Sequence, residues 1–310
     1  MRIFLWHVHG SWTTALVQGP HDYFVPVLAD RGADGRGRAQ TWDWPARVVE
    51  VSPDEAQDLE VDVVVMQRPE ELDRLVVDWL GRRPGSDVPA VYLEHNAPQG
   101  RIADMVHPAA DRPELCVVHV THFNRLFWDT GSTPTTVIEH GIPDPGYRYT
   151  GELEAAVAVV NEPVRRGRVT GTDLLAELRA MAPIQLYGMR SEPLGGIDVP
   201  QHRLHDEMAR HRAYLHPVRW TSLGLALIEA MHLGLPVVAV GTTEVPDAVP
   251  PDAGVVSTRP EILGAALARL VHDPEESRAM GLAARRAARA RYGLERFLAD
   301  WDRLLAGVAR

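Results

Sequence analysis

Short runs of β-branched and aliphatic residues, each followed by an amphipathic stretch, recur along this chain, and no other feature limits its fold so strongly. RIFLWHV (2–8), ARVVEV (46–51), VDVVVMQ (61–67), PAVYLE (89–94) and ELCVVHV (114–120) are nearly continuous in apolar residues. Such runs are strands covered on both faces, as in a parallel sheet. EELDRLVVDWLGR (70–82) lies between two of them and puts Leu72, Leu75, Val76 and Trp79 on one helical face. Parallel neighbours need a crossover, so the pattern is βαβ and the fold class is α/β. It pauses at HGIPDPGYRYTGE (140–152), rich in Gly, Pro and Asp, which reads as a domain linker. It resumes with AAVAVV (155–160), APIQLYG (182–188), RAYLHP (212–217), PVVAVG (236–241) and GVVS (254–257), separated by helices near 171–181, 204–211, 223–233 and 259–271. The end is helical, over 274–293 and 294–307. A length of 310 residues suits two domains. Two successive doubly wound halves imply a ligand cleft at strand C-termini.

Composition removes several function classes. A net charge of -10 argues against general nucleic-acid affinity, because phosphate binding needs a basic surface. All 32 basic side chains are Arg, so a Schiff-base lysine and a P-loop lysine are both excluded. A phosphate clamp here must use Arg, backbone N–H groups or helix N-termini. Cys116 is alone and sits in an apolar run; it reads as a buried inert thiol, with no internal disulfide or cysteine zinc site. MRIFLWHVHG is too short for a membrane span and lacks a small-residue cleavage site, so the expected compartment is the cytoplasm. In HVTHFNRLFWD (119–129), His119 and His122 lack a further ligand set, and Phe123 and Phe127 at i, i+4 read as helix core.

TSLGLALIEAMHLGLPVVA (221–239) is the most informative stretch. Thr221 or Ser222 is the expected N-cap, Gly234 and Pro236 end the helix, and Gly224 lets another group approach its first turn, whose N–H groups form an anion site. Glu229 stands in an otherwise apolar helix. Alone it reads more often as a solvated helix residue than as a functional one. Its surroundings resemble the donor-site motif of the GT-B glycosyltransferases, specifically the family 4 or group 1 type. That resemblance implies two Rossmann-like doubly wound domains facing a cleft: residues 1–145 on the acceptor side, 146–292 on the nucleotide-sugar side, and a C-terminal helix, 293–310, packing back on the first domain. YLHPVRW (214–220), GTTEVPDAVP (241–250), TTVIEHGIPDP and LERFLADWDRLL add weaker matches.

The family brackets this helix with a Glu-x7-Glu pair. The second acid, which binds the nucleotide ribose, corresponds to Glu229; the first, which touches the donor sugar, falls on Thr221. The resemblance also assigns Ser222, Gly224, Leu225 and Gly188 to the donor site. Its diphosphate clamp, G-R-x-x-x-x-K-G in form, lies over VVNEPVRRGRVTG (159–171). There Arg166-Gly167 aligns with Lys-Gly, Asn161 takes the Arg position, and Arg165 and Arg168 are near enough to substitute. A solvated basic turn is the plainer alternative. Gly10 and Ser11 match the family's Gly-rich loop. His95 matches a histidine that faces the donor sugar and is, with Arg166, the expected catalytic group. His9, Trp12, Glu94 and Asn96 are acceptor-side candidates, and Glu139 and His140 lie at the linker.

The resemblance therefore implies a glycosyltransferase moving a sugar from a nucleotide-sugar to a small-molecule or glycan acceptor, with retention, without metal or cofactor. Thr221 leaves two readings: it caps the helix while the sugar is held differently, or the site keeps nucleotide binding and has lost transfer. Two rivals stand beside the transferase. One is a non-catalytic nucleotide-sugar-binding protein, and the other is a nucleotide-sugar epimerase of the same fold.

Overall fold

Among residues 1–309, which the computed structural model describes, the chain divides into two units: Met1–Ile142 with the C-terminal segment from Leu294, and Pro143–Gly293. Unit 1 holds β1 (Arg2–Leu5), β2 (Asp22–Pro26), β3 (Val48–Val51), β4 (Val63–Met66), β5 (Ala90–Glu94), β6 (Cys116–His119) and β7 (Thr135–Val137), ordered β3-β2-β1-β4-β5-β6-β7. All neighbours pair parallel. Unit 2 holds β8 (Leu153–Val159), β9 (Ile184–Tyr187), β10 (His211–His216), β11 (Val237–Val240) and β12 (Gly254–Ser257), ordered β12-β11-β10-β8-β9 and again parallel.

The apolar runs become fully covered strands because helices lie on both faces. Val63, Val64, Val65 and Met66 have no exposed surface. Each such side chain contributes roughly 1.5–3 kcal/mol when fully buried. The expected helical face is buried through Leu72, Leu75, Val76 and Trp79, although its first turn, Glu71–Leu75, is a π-turn continued by α-helix over Val76–Leu80. The C-terminal helix Leu294–Val308 belongs to unit 1 and lays Phe297 and Trp301 against Trp12, with ring centroids 6.2 and 5.5 Å away.

Two strands depart from the sequence reading. DYFVP forms β2, and TTV, read as part of the linker stretch, forms the edge strand β7. Phe123 and Phe127 are not core: their rings stack at 4.4 Å on a short helix, and Phe127 is exposed. Cys116 is half-buried, with burial pushing its thiol pKa up.

Each sheet has one point where the chain's winding reverses, between β1 and β4 in unit 1 and between β8 and β10 in unit 2. Open α/β sheets bind ligands beyond the strand C-termini at such points. There the β1 end leads to His9 and Gly10, β4 to Gln67, β8 to the arginine turn, and β10 to His216.

Candidate functional site

In unit 2 the helix runs Leu225–Leu233, and its N-cap is Gly224, with no side-chain cap; Thr221 and Ser222 precede the helix and do not cap it. The reason is a neighbour from β10. A Cβ on Gly224 would lie 2.8 Å from Cε1 of His216, so only glycine lets the chain enter the helix over this ring. Ser222 is buried, while Thr221 is half-buried. Gly234, at φ +94, ends the helix as expected.

Glu229 is not a solvated helix residue. Its side chain is 8% exposed, and no hydrogen bond from the chain reaches its carboxylate. Nε2 of His205 lies 3.4 Å from Oε2. Tyr214 packs close enough for Glu229 to help raise its phenol pKa, after burial. The Tyr214 hydroxyl and both His216 nitrogens have no partner. Burial pushes His216 down to about 4, so it is neutral at pH 7. A carboxylate sheltered in this way favours donors that replace the water it gives up.

The arginine turn sorts itself by pairing. Arg165 is held by Glu162, and Arg168 by Asp173 at 2.9 Å. Both are consumed within the chain, against their expected availability for phosphate. Arg166 is half-buried, and its guanidinium has no hydrogen bond or ion pair; burial, then Arg165, pull its pKa down. Glu162 offsets this in part, and a desolvated cation favours an anion. Asn161 turns its Oδ1 to the N–H of Met189 at 2.9 Å and so pins the next loop. Gly188 sits where a Cβ would lie 2.2 Å from the Val160 carbonyl oxygen.

In unit 1, His95 at the end of β5 is buried, with its ring 4.0 Å from His9 and 6.5 Å from His140. Nε2 lies 3.0 Å from Oε1 of Gln67. Burial, then His9 and His140, hold His95 well below its ordinary pKa. Burial and then Arg36 push His9 to about 4; burial, then His9 and Arg296, push His140 to about 3. All three imidazoles are neutral at pH 7. Gly10 and Ser11 open the Gly10–Leu16 helix beside them.

Two acceptor-side candidates fall away. Trp12 is buried beneath the C-terminal helix, because its face of the Gly10–Leu16 helix packs inward. Glu94 is buried and turned into unit 1, where Oε2 meets His107 Nε2 at 3.1 Å and Oε1 accepts the Asn96 N–H at 2.6 Å. Asn96 remains exposed, and its carbonyl accepts from Trp128 at 2.7 Å. Among the described residues, no three His, Cys, Asp or Glu side chains gather as metal ligands, and no helix is long and apolar enough to cross a membrane.

Residues 188–287 match the family model described as glycosyl transferases group 1. The matched segment lies wholly within unit 2. It contains Glu229, Gly224 and the glycine at 188. In sequence the chain matches no curated protein. In fold it is similar to sucrose-phosphate synthase from Thermosynechococcus elongatus, with TM-score 0.75 and 14% identity over 99% of this chain and 98% of that one. It is similar to HepE of Anabaena in complex with UDP-glucose, with TM-score 0.69 and 14% identity over 99% of this chain and 100% of that one. A third likeness is AviGT4, a glycosyltransferase involved in avilamycin A biosynthesis, with TM-score 0.67 and 14% identity over 100% and 98%. The fold is GT-B.

Sequence reasoning passed over Gln67 and His205. Gln67 is signalled faintly by a polar residue closing the apolar run VDVVVMQ; nothing local marks His205.

Proposed function

We propose that the protein is a family 4 type glycosyltransferase that moves a sugar from a nucleotide-sugar to an acceptor hydroxyl with retention of configuration. The observation that carries the reading is the buried, unbonded carboxylate of Glu229 on the group 1 segment. Two vicinal ribose hydroxyls supply the donors it lacks, each charge-assisted bond contributing roughly 1.5–3 kcal/mol. The unpaired Arg166 guanidinium takes the diphosphate, aided by the N–H groups that open the Leu225–Leu233 helix. This is a metal-free way to stabilise charge on the leaving group. UDP-glucose, which HepE binds, is the first donor to try.

In the reaction, the bond from the anomeric carbon to the β-phosphate oxygen breaks, and the bond to the acceptor oxygen forms on the same face. The acceptor proton passes to the departing phosphate oxygen, so no protein base is needed. His95 orients the sugar. Thr221 supplies at most one uncharged hydroxyl where the family has an acid, so the donor sugar is held differently from that family's usual case. The lone Cys116 fits a reducing cytoplasmic setting, which cell fractionation checks.

The test is a panel of UDP-, GDP-, ADP- and dTDP-sugars incubated with and without glycan acceptors, following nucleoside diphosphate release and the anomer formed. Release that survives a chelator, with the configuration kept, supports the reading. An isomerised donor without release favours the epimerase. Donor binding without turnover under any acceptor favours the non-catalytic protein.

A further inference from the structure

β2 and β3 pair as parallel neighbours, yet no helix joins them; residues 27–47 make the crossover as an irregular loop. Connections this long without secondary structure are uncommon in compact domains, and most of them serve a function. The loop returns to the C-terminal end of β1. Trp6 Nε1 donates to the Asp34 carbonyl at 3.1 Å, and Trp44 Nε1 donates to Thr14 Oγ1 at 2.8 Å. Gly37, at φ +66, offers its carbonyl to His7 Nδ1 at 3.0 Å.

RGADGRGR (31–38) supplies three arginines, and two of them hold the loop together. Arg31 pairs with both Glu50 oxygens at 2.9 and 3.1 Å. Arg38 donates to the Pro45 and Trp44 carbonyls at 3.0 and 2.6 Å. The acid between them, Asp34, is taken by Arg68 and Arg74 at 3.0 and 3.2 Å. Arg36 is exposed and meets no carboxylate among the described residues. Its guanidinium makes one long bond, to the Val8 carbonyl at 3.4 Å, which puts the charge at the residue between His7 and His9. Burial foremost, and then this charge, pulls both imidazoles below their ordinary pKa, although the Gly37 bond opposes the shift at His7. Two further polar atoms meet beside them. A Cβ on Gly10 would lie 3.6 Å from Trp42 Nε1 and 3.8 Å from His7 Nε2, so both nitrogens border the space that the missing side chain leaves. The Trp42 N–H has no acceptor among the described residues. A carbonyl only accepts, so His7 carries its proton on Nδ1 and presents a lone pair at Nε2.

We propose that Arg36, Trp42 and His7 form an acidic-sugar subsite on unit 1, in which the guanidinium and the indole N–H take the oxygens of a phosphate or carboxylate and His7 Nε2 accepts a hydrogen bond from a neighbouring sugar hydroxyl. The ligand's role as acceptor rests on the transferase reading; the subsite stands on unit 1 alone. A planar guanidinium matches two oxygens of such a group at once. A neutral sugar satisfies His7 and leaves the cation bare, so the site selects the charged sugar over its neutral parent.

The test follows the indole N–H signals of the full chain labelled with 15N-tryptophan, the Trp42 signal being assigned with a Trp42→Phe variant. Glucose 6-phosphate, glucuronate, glucose and inorganic phosphate are titrated separately at one ionic strength. At least one of the two acidic sugars is expected to move the Trp42 signal to saturation, with an affinity at least about tenfold above that of glucose. The tighter of the two tells phosphate from carboxylate. Arg36→Gln is expected to lose about tenfold or more of that affinity while the other indole signals stay in place, which shows the fold intact. Arg36→Lys, which keeps the charge without the fork, is expected to fall between. A Trp42 signal unmoved by both acidic sugars, an equal response to glucose, or a response unchanged in Arg36→Gln overturns the proposal. Inorganic phosphate binding as tightly as glucose 6-phosphate overturns the sugar assignment. Calorimetry with UDP, GDP, ADP and dTDP separates this from the transferase reading. A nucleotide that loses affinity in Arg36→Gln puts Arg36 on the donor and overturns the acceptor role. Failure of all four to bind overturns the transferase reading, while the Trp42 signal still decides the acidic-sugar subsite.

Discussion

His119 ends β6 with no exposed surface, and neither ring nitrogen has a partner. Burial, aided by His107 and Arg125, pushes its pKa from 6.5 down to about 3. The folded chain therefore refuses a proton that the unfolded chain accepts below pH 6.5. The linked stability is complete above that value and drains away as the pH falls towards about 3. Each pKa unit is worth about 1.4 kcal/mol, so a drop to about pH 5, some 1.5 units below the unfolded value, costs about 2 kcal/mol. His119→Phe keeps a ring in the site and removes the titration. Urea unfolding followed by tryptophan fluorescence reads this locally, because every tryptophan except Trp220 lies in unit 1. Between about pH 7 and pH 5 the variant should lose about 2 kcal/mol less than wild type, a difference of about 1 M in urea midpoint for a slope near 2 kcal/mol per molar. Equal losses in both proteins would refute the argument.

Further predictions concern the second unit and the buried acid beside Gln67. Gly171→Ala, at φ +68 with the Cβ 1.7 Å from the Pro217 carbonyl oxygen, should cost at least about 2 kcal/mol in chemical denaturation, since backbone must move. Arg166→Gln should weaken nucleoside diphosphate binding by about ten- to a hundredfold in calorimetry, whereas Arg165→Gln, already paired with Glu162, should change it little. Burial raises Glu71 to about 7 despite Arg68. Here the folded chain holds a proton the unfolded chain has released, so stability declines as pH rises from about 4.5 through 7, and Glu71→Gln should flatten that slope in pH-dependent denaturation.

The central strands were legible because a strand covered on both faces has no polar alternation to confuse it with a loop. β7 escaped because an edge strand of half-buried TTV lacks that run, and β2 because Pro26 and its short length imitate a turn. Gly224 was marked as a site of close approach, yet the cap went to Thr221 or Ser222. The ring that displaces the cap, His216, comes from another strand and leaves no local trace. Trp12 and Glu94 misled for the same reason. Each looks available beside a strand end, until Trp301 covers the first and His107 draws in the second. Glu229 stood out because an acid on an apolar helix conflicts with its own pattern. The sorting of Arg166 from Arg165 and Arg168 depended on Glu162 and Asp173, whose pairing no spacing rule dictates.

The most direct measurement is titration calorimetry of UDP, GDP, ADP and dTDP against wild type and Glu229→Gln. The account predicts that one nucleotide binds wild type and that the variant loses about 1.5–3 kcal/mol, roughly ten- to over a hundredfold in affinity, while keeping its fold. Equal affinity in both proteins, or no binding of any nucleotide to the folded wild type, would contradict it.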